Sequence, residues 1–332
     1  MVEHHKDAEA KGTWVTYRPE IKVLDCTIRD GGLMNNHRFE DGIVKAVYNA
    51  CVEAGIDYME IGYMSSDKLF SRDEHGPWKF CDDKDIRRIV GENKTNTKLS
   101  AMVDIGRIEM DKILPKSKSV IDMIRVATYV HQMDKAIQMA EQCLDKGYVA
   151  TINLMAVSKV NERDLDEALS DVAKSNVPIF YVVDSFGSMY CEQIEMLTKK
   201  YQEILKGKAI GIHAHNNMQL AFSNTITAAI HGCTMLDATL LGLGRGAGNC
   251  PMEILIAFLK NPKYRLLPLF QAIQEHIFPL QQKISWGYHI PYLVTGSMNE
   301  HPKEAMAWMD SDKKNDFVGF LRHMHDNFAI LE

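Results

Sequence analysis

The chain has 332 residues, of which 46% are apolar and 25% are charged. This composition excludes collagen-like and largely disordered proteins, and the length allows one barrel or two ordinary domains. A net charge of −6 gives no bulk electrostatic reason to bind nucleic acid or an anionic membrane. No apolar run approaches the roughly 20 residues of a membrane span, and the polar N-terminus lacks a signal-peptide pattern. We therefore expect a cytoplasmic protein without nucleic-acid or membrane partners.

Short apolar runs typical of β-strands recur along the chain, with amphipathic helical stretches between them. Strands are predicted over residues 22–28, 57–63, 98–104, 120–127, 148–155, 177–184, 208–215 and 234–240. Their starts lie roughly 20–40 residues apart, which is the length of a strand, a helix and two loops. Helices are predicted over residues 39–54, 131–146, 161–175, 187–205 and 217–231.

Strict alternation of strand and helix predicts a parallel sheet with helices on the outside. Eight such units in about 240 residues favour a (β/α)8 TIM barrel over an open doubly wound sheet, which is the alternative fold. The alternation ends near residue 275, where an irregular segment precedes a charged helical stretch. We predict an N-terminal tail over residues 1–20, a barrel over 21–270 and a C-terminal helical extension over 271–332.

Polar side chains stand near the carboxyl ends of the predicted strands, where barrels of this kind carry their active sites. In chain order they are Arg29, Asp30, Glu60, Asp104, Arg125, Asn153, Asp184, Ser185, His213, His215 and Asp237. We expect this group to surround one site, in which Asn153, Asp184 and Ser185 contact the substrate.

His213 and His215 form a His-x-His pair on the seventh predicted strand. Because residues i and i+2 of a strand point to the same face, the two imidazoles converge on one point, as a divalent cation requires. Asp30 would complete a set of two histidines and one carboxylate, with positions left for water or substrate. The alternative is a pair of polar residues that holds no metal.

Arg29 stands next to the predicted metal-binding carboxylate. A guanidinium at this place can stabilise negative charge that develops on a substrate oxygen, because it does not lose its own charge. The alternative is a structural ion pair inside the barrel, with Glu60 or Asp184 as the partner.

A glycine-rich stretch, residues 242–249, follows the eighth predicted strand. A dinucleotide-binding fingerprint would instead follow the first strand of its βαβ unit. The loops after strands 7 and 8 of barrels often bind phosphate or carboxylate, and Arg245 would add positive charge for a substrate there. Asn249 would be a further metal ligand or the cap of the helix that follows.

The loop after the second predicted strand, residues 64–85, is long for a connection of this type. Lys68, Arg72, Trp78 and Lys79 would contact an anionic or bulky acceptor substrate. A structural flap and a dimer contact are the alternatives.

Five segments together resemble a known superfamily. They are CTIRDGG (26–32), MEIGY (59–63), VVDSFGSM (182–189), HAHNN (213–217) and GLGRGAGN (242–249). The first is similar to the signature that opens the DRE-TIM metallolyase barrels, which include the HMG-CoA lyase-like proteins, and the others follow in that superfamily's order. Within the superfamily, the chain looks most like the 4-hydroxy-2-oxovalerate aldolases.

The resemblance implies a divalent metal, Mn or Mg, with Co or Zn as alternatives. Asp30, His213 and His215 would be its ligands. Asn249 matches a position that contributes to the metal in some members of the superfamily.

The resemblance also implies that Arg29 stabilises an enolate and that Glu60 matches an active-site glutamate of the lyase and synthase members. The aldolases carry a basic histidine shortly after the Arg-Asp pair, and this chain has Leu33 there. His37 would replace that histidine, or it would be an exposed loop residue. Tyr288 is the candidate for the tyrosine that the aldolases contribute from their C-terminal part.

The implied function is a metal-dependent aldolase. It would cleave or form a 4-hydroxy-2-oxo acid from pyruvate, or a related 2-oxo acid, and an aldehyde, through a metal-stabilised enolate. A Claisen-type lyase or synthase that uses an acyl-CoA is the alternative, and a catalytically retired binding subunit is a third. We expect a homodimer, and an aldehyde dehydrogenase partner as in the resembling aldolases.

Overall fold

The computed structural model describes residues 18–328, in which the predicted strands close into one parallel barrel. Strands β1 to β8 span Lys22–Asp25, Tyr58–Tyr63, Lys98–Asp104, Met123–Thr128, Val149–Leu154, Ile179–Asp184, Ala209–Ala214 and Met235–Ala238. Each strand pairs with its neighbour in chain order, and β1 also pairs with β8. The predicted (β/α)8 barrel is confirmed, and the open sheet is excluded. Most of the predicted tail, residues 1–17, lies outside the described residues.

Helices separate most of the strands and continue after the last one, while β3 and β4 are joined by two 3₁₀ turns, Met110–Lys112 and Lys116–Lys118. Helices α1 to α8 span Thr27–Gly31, Asp41–Ala54, Asp83–Val90, Met133–Asp145, Glu162–Lys174, Cys191–Ile204, Ala221–Ile230 and Met252–Leu259. Helices α9 to α13 span Leu266–Ala272, Phe278–Gln281, Ile290–Ser297, Lys303–Met309 and Phe317–Phe328, and a π-helical turn, Ile273–Ile277, joins α9 to α10. No helix in this part of the chain is long and apolar enough to cross a membrane.

Helix α2 shows how the apolar pattern places a helix on the barrel. Val44, Val47 and Cys51 follow helical spacing and are fully buried. Gly55 ends the helix in the left-handed region at a φ of 76°, where a side chain would be strained.

The first strand is shorter than the sequence predicts, and this changes how two site residues are presented. β1 ends at Asp25, whose carboxylate accepts the backbone N–H of Thr27 at 3.2 Å and also the Thr27 hydroxyl. A side chain that accepts a nearby backbone N–H in this way competes with the hydrogen bonds of the sheet, so the strand ends there. Arg29 and Asp30 therefore lie on the one-turn helix α1 rather than at a strand end.

The segment after β2 is folded against the barrel, and α3 within it was not predicted. Trp78 and Lys79 are buried, and Arg72 pairs with Asp82 at 2.9 Å. Lys68 pairs with Glu109 at the surface. Lys68 and Arg72 are paired within the protein and Trp78 packs in the core, so the segment matches the structural-flap alternative better than the acceptor-contact one.

The C-terminal helices cover the carboxyl-end face of the barrel. Trp286 donates a hydrogen bond from Nε1 to the carbonyl of Leu241 at 3.1 Å, and the Ser188 hydroxyl donates to Asn299 at 2.7 Å. The predicted helical extension is thus confirmed. Its hydrogen bonds stabilise the loops that follow β6 and β8.

Candidate metal centre and active site

Three ionisable side chains converge at the carboxyl-end face. Ligand atoms of Asp30, His213 and His215 all lie within 4.8 Å of one another, and all three residues are buried. Nδ1 of His215 lies 3.8 Å from Oδ2 of Asp30. The structure thus brings together the three predicted ligands, and their binding of a metal stays a prediction.

Buried polar atoms without partners show that this group suits a cation. His213 Nε2, His215 Nδ1 and Asn249 Oδ1 are buried and have no hydrogen-bond partner within residues 18–328. Unpaired buried polar atoms destabilise a fold, so they are rare and call for a ligand. Imidazole nitrogens with a carboxylate and an amide oxygen are suitable ligands for a catalytic divalent metal. The residues present therefore fit the implied cofactor.

The ionisation states of these side chains are suited to binding a divalent metal. Burial alone would raise the pKa of Asp30, but the positive charge of Arg29 holds that pKa well below its usual range. Burial lowers the pKa of His215 well below its usual value, which keeps the ring neutral. Ionised carboxylates and neutral imidazoles are the forms that bind metal ions.

The glycine-rich loop approaches Asp30 closely. A Cβ atom at Gly244 would lie 2.7 Å from Oδ2 of Asp30 and 2.5 Å from Nδ2 of Asn249, so only glycine fits. The Asn249 amide donates a hydrogen bond to Asp30, whereas helix α8 has Pro251 at its N-cap. The helix-cap alternative for Asn249 is therefore wrong, and its role as a metal ligand stays a prediction.

Arg29 is held by two carboxylates. Its Nε donates to Glu60 at 2.7 Å, and its Nη1 donates to Asp30 at 2.7 Å. The ion pair with Glu60 is the predicted structural alternative, but it leaves Nη2 buried and without a partner in the described chain. Since Arg29 also lines the cavity, this N–H group is available to a substrate oxygen.

Alternating charges connect Arg29 to His213 beneath the ligands, and we call this set the charged floor. It consists of Arg29, Glu60, Arg125, Asp237 and His213. Arg125 donates to Glu60 at 2.9 Å and pairs with Asp237, which holds Nδ1 of His213 at 2.9 Å. With Nδ1 occupied, His213 presents Nε2 to the ligand group.

The charged floor corrects the expectation for Glu60 and gives roles to two further residues. Glu60 is fully buried, pairs with both arginines and does not line the cavity, so it positions Arg29 and the predicted catalytic contact is not supported. Arg125 and Asp237 received no role from the sequence. Their presence inside otherwise apolar strands could have marked them as functional in the sequence. Their pairing partners could not be predicted, because the pairs join residues of three different strands.

A second group of potential ligands lies within the floor. Cys26, His213 and Asp237 also lie within metal-ligand distance of one another. The Arg125 guanidinium pairs with Asp237 and lies 3.6 Å from the Cys26 sulfur, so a positive charge is already present. The group around Asp30 is therefore the better cation site.

A small cavity opens above the ligands. One side of it, which we call the apolar wall, consists of Leu33, Tyr63, Met102, Ala127 and Met155. The rest of the lining includes the predicted ligands and the polar side chains Arg29, Asn153, Ser185 and Arg245. The cavity thus has one charged side and one apolar side.

Three of the four predicted substrate contacts line this cavity. Oδ1 of Asn153 accepts the hydroxyl of Thr151 at 2.7 Å, which leaves its amide N–H groups for a ligand. Arg245 donates from Nη2 to the Ser185 carbonyl at 2.7 Å, and its Nη1 lies 3.0 Å from Nε2 of His301. These contacts hold Arg245 at the edge of the cavity.

Asp184 does not line the cavity, and its predicted substrate contact is not supported. Its carboxylate accepts the backbone N–H groups of Ser188 at 3.0 Å and Met189 at 3.3 Å. Burial raises the pKa of Asp184 to about 7. The side chain stabilises the loop after β6 and contacts its backbone in place of a substrate.

The two predicted proton-transfer residues also lie off the cavity. His37 is only 2% exposed, so the exposed-loop alternative is wrong. Burial lowers the pKa of His37 to about 3, and its ring packs edge-on against Tyr63 with centroids 5.4 Å apart. Tyr288 is 54% exposed. His37 is therefore not placed to act as the predicted base, and Tyr288 is not placed to act as the predicted catalytic tyrosine.

Comparisons with known sequences agree with this geometry. The chain is 29% identical over 269 residues to 4-hydroxy-2-oxovalerate aldolase of Thermus thermophilus, covering 80% of this chain and 77% of that one. It is 32% identical over 252 residues to oxaloacetate decarboxylase of Mycobacterium tuberculosis, covering 74% and 71%.

A solved structure and a family profile complete the comparison. The N-terminal domain of a candidate aldolase from Bacteroides vulgatus is 29% identical, with a TM-score of 0.73 over 90% of this chain and 100% of that one. The sequence profile of the HMGL-like family matches residues 20–275. The resemblance carried by the five motifs is confirmed: the chain belongs to the HMGL-like family.

Proposed function

We propose that this protein is a divalent-metal-dependent aldolase that cleaves or forms a 4-hydroxy-2-oxo acid. The reaction partners are a 2-oxo acid such as pyruvate and an aldehyde. The observation that carries the proposal is the convergence of Asp30, His213 and His215 beside the unpaired Nη2 of Arg29. Several relatives named 4-hydroxy-2-oxovalerate aldolase support the reaction class.

Metal binding and stabilisation of negative charge fall to different side chains. Asp30, His213 and His215 would hold the metal, with Asn249 as a further ligand, and the bound ion would supply Lewis-acid polarisation of the 2-oxo group. Arg29 donates Nη2 to the oxygen that gains negative charge as the C–C bond breaks.

Two further side chains bind and orient the substrate. The free amide N–H groups of Asn153 and the guanidinium of Arg245 bind its carboxylate. Arg245 suits this task because a guanidinium presents two parallel N–H groups to a carboxylate.

The apolar wall faces the aldehyde end of the substrate. Tyr63 supplies the one hydroxyl on this wall, and the wall has no lysine or arginine among the described residues. An uncharged aldehyde with a short aliphatic chain therefore suits it. The described cavity lining includes no lysine, so a Schiff-base route has no residue there.

Proton exchange tests the proposal without knowledge of the aldehyde. In D₂O, the Mn²⁺-loaded protein should exchange the methyl protons of pyruvate, because a stabilised enolate forms even without an acceptor. Protein treated with a chelator is the control and should not exchange. A panel of aldehydes with pyruvate then identifies the acceptor. If neither pyruvate nor 2-oxobutyrate exchanges, the proposal is wrong, and CoA-dependent turnover would favour the acyl-CoA alternative.

A second candidate function is the decarboxylation of oxaloacetate. Leu33 stands where the resembling aldolases carry their basic histidine, and loss of CO₂ requires no proton removal from a hydroxyl group. The same enolate of pyruvate forms in both reactions. The relative from Mycobacterium tuberculosis is named for this reaction. Comparison of kcat/KM for oxaloacetate with that for 4-hydroxy-2-oxo acids distinguishes the two functions.

Four finer assignments stay predictions. They are the choice among Mn, Mg, Co and Zn, the homodimer, the aldehyde dehydrogenase partner and the cytoplasmic location. Release of free aldehyde at the full rate of turnover, without a co-purifying dehydrogenase, would contradict the partner.

A further inference from the structure

Tyr63 stands at the end of β2 and is the tyrosine that lines the cavity. The pairing of β2 with β3 shifts register between Glu60 and Tyr63. Such an irregularity changes the direction of the side chains that follow it. Glu60 can therefore face the charged floor while Tyr63 faces the cavity. The Tyr63 hydroxyl has no hydrogen-bond partner within residues 18–328, and the residue is 8% exposed.

The surroundings of Tyr63 suit a group that gives up a proton. Burial raises the pKa of Tyr63, so the hydroxyl carries its proton in the resting protein. The Lys79 ammonium lies 4.6 Å from the centre of the ring, and the Arg29 guanidinium lies 5.9 Å from it. Lys79 itself is buried and makes no ion pair in the described chain, so its charge acts on the rings beside it. Both cations would stabilise a phenolate after proton transfer.

The other polar groups of the cavity are poor proton donors for carbon. The Ser185 oxygen accepts the backbone N–H of Ala156 at 2.8 Å, and Arg29 and Arg245 keep their protons at any working pH. His37 and Tyr288 lie off the cavity. The hydroxyl of Tyr63 is thus the available acid on the side where the aldehyde leaves.

We propose that Tyr63 is the catalytic acid of this site and delivers the proton that converts the enolate to the 2-oxo acid. The inference rests on the proposed function and deepens it. In this step the electron pair of the enolate forms a C3–H bond, the O–H bond of Tyr63 breaks, and the phenolate regains a proton from water. The proton that the C4 hydroxyl of the substrate releases to solvent during cleavage balances the proton taken up.

Deuterium incorporation into 2-oxobutyrate tests this assignment, because an acid on one side of the site distinguishes the two protons at C3. In D₂O with Mn²⁺, the wild-type protein should exchange one of them and give a single enantiomer. Tyr63→Phe should slow this exchange by about 10²-fold or more, and the residual product should be racemic. Mn²⁺ affinity should not change, because Tyr63 is not a ligand.

Two further variants make the test specific. Tyr58→Phe removes a hydroxyl at the other end of the same strand and should keep the wild-type rate and enantiomer. Lys79→Met keeps the Tyr63 hydroxyl but removes the nearby charge, so it should slow exchange without weakening Mn²⁺ binding. Unchanged melting temperatures show that the variants fold.

The outcomes separate the two proposals. Wild-type rate and enantiomer in Tyr63→Phe would overturn the role of Tyr63, as would a loss of Mn²⁺ affinity in that variant. If the wild-type protein shows neither exchange nor aldehyde-dependent turnover, the proposed function itself fails.

Discussion

The charged floor and the apolar wall both contribute side chains to one cavity, and the two groups are held by opposite means. In the floor, each charge meets an opposite charge within 3 Å, from Arg29 through Glu60 and Arg125 to Asp237. In the wall, Met102 and Tyr63 are held by packing, and the Tyr63 hydroxyl has no partner in the described chain. The floor therefore fixes the electrostatics of the reaction, while the wall can change its shape at smaller cost.

Two physical differences explain this contrast. Removal of one member of a buried ion pair leaves an uncompensated charge, which strongly destabilises a fold. Apolar packing tolerates exchanges that keep volume. We expect changes in the floor to affect chemistry and stability, and changes in the wall residues other than Tyr63 to affect the choice of aldehyde.

Loss of a metal ligand should have the largest effect. His215→Ala should abolish turnover and lose the stabilisation that Mn²⁺ gives, which is about 2.7 kcal/mol at 100 times the dissociation constant. Metal content and melting temperature with and without Mn²⁺ measure both effects. His231→Ala, which changes a histidine paired with Glu195 far from the cavity, is the control. Full stoichiometry and affinity in His215→Ala would rule out the site.

Removal of the central charge of the floor should come next. Arg125→Met leaves Glu60 and Asp237 without their shared partner and should lower the free energy of unfolding by about 3–5 kcal/mol. Urea denaturation measures this. Arg163→Met breaks an exposed pair with Glu167 and should change stability little. Equal effects of the two variants would contradict the importance of the floor.

Arg29→Ala tests whether Arg29, which belongs to the charged floor and also lines the cavity, acts in catalysis. The variant should fold and bind Mn²⁺, because Glu60 keeps its pair with Arg125. Its kcat should fall by about 10²–10³, as expected for loss of a donor to developing negative charge. Steady-state kinetics of the folded, metal-loaded protein measure this fall in kcat. Unfolding with unchanged activity per folded molecule would make Arg29 purely structural.

A change in an aliphatic side chain of the wall should alter specificity more than chemistry. Met155→Ala should favour longer aliphatic aldehydes, with a shift of about 10–200-fold in relative kcat/KM for a change of this size. Pairs of short and long aldehydes measure the shift. Met196→Ala, at a position 60% exposed on α6, provides the comparison. An unchanged preference would mean that the aldehyde binds elsewhere.

The smallest effect at neutral pH concerns His37, whose ring packs edge-on against Tyr63. Its pKa is about 3 in the folded protein against an ordinary value of 6.5. Between these values the unfolded chain binds the extra proton, so stability is lost as pH falls below 6.5, by at most about 1.4 kcal/mol per pH unit. His37→Asn tolerates the φ of 58° and should flatten this dependence. Parallel stability curves for both proteins would contradict the burial argument.

The sequence predicts the eight strands and the convergence of Asp30, His213 and His215 because both depend on local rules and on barrel topology. Strand period places His213 and His215 on one face, and barrel topology brings Asp30 to the same end. The position of Tyr63 in the cavity depends instead on a register shift between two strands, which no local pattern contains.

The pairs within the charged floor escape prediction for a related reason. Glu60, Arg125 and Asp237 come from β2, β4 and β8, and each could have paired with other charged residues at the strand ends. The end of β1 likewise depends on how the side chain of Asp25 turns toward Thr27.

The one-turn helix α1 imposes an angular constraint on the protein's evolution. On a strand, neighbouring residues point to opposite faces, so either Arg29 or Asp30 would be directed out of the barrel. On a helix they are separated by only about 100°, which lets Arg29 reach sideways to Glu60 while Asp30 reaches the histidines. A single-residue insertion or deletion between Cys26 and Arg29 would rotate both groups away from their targets. In this segment, evolution can therefore exchange side chains more easily than it can change length.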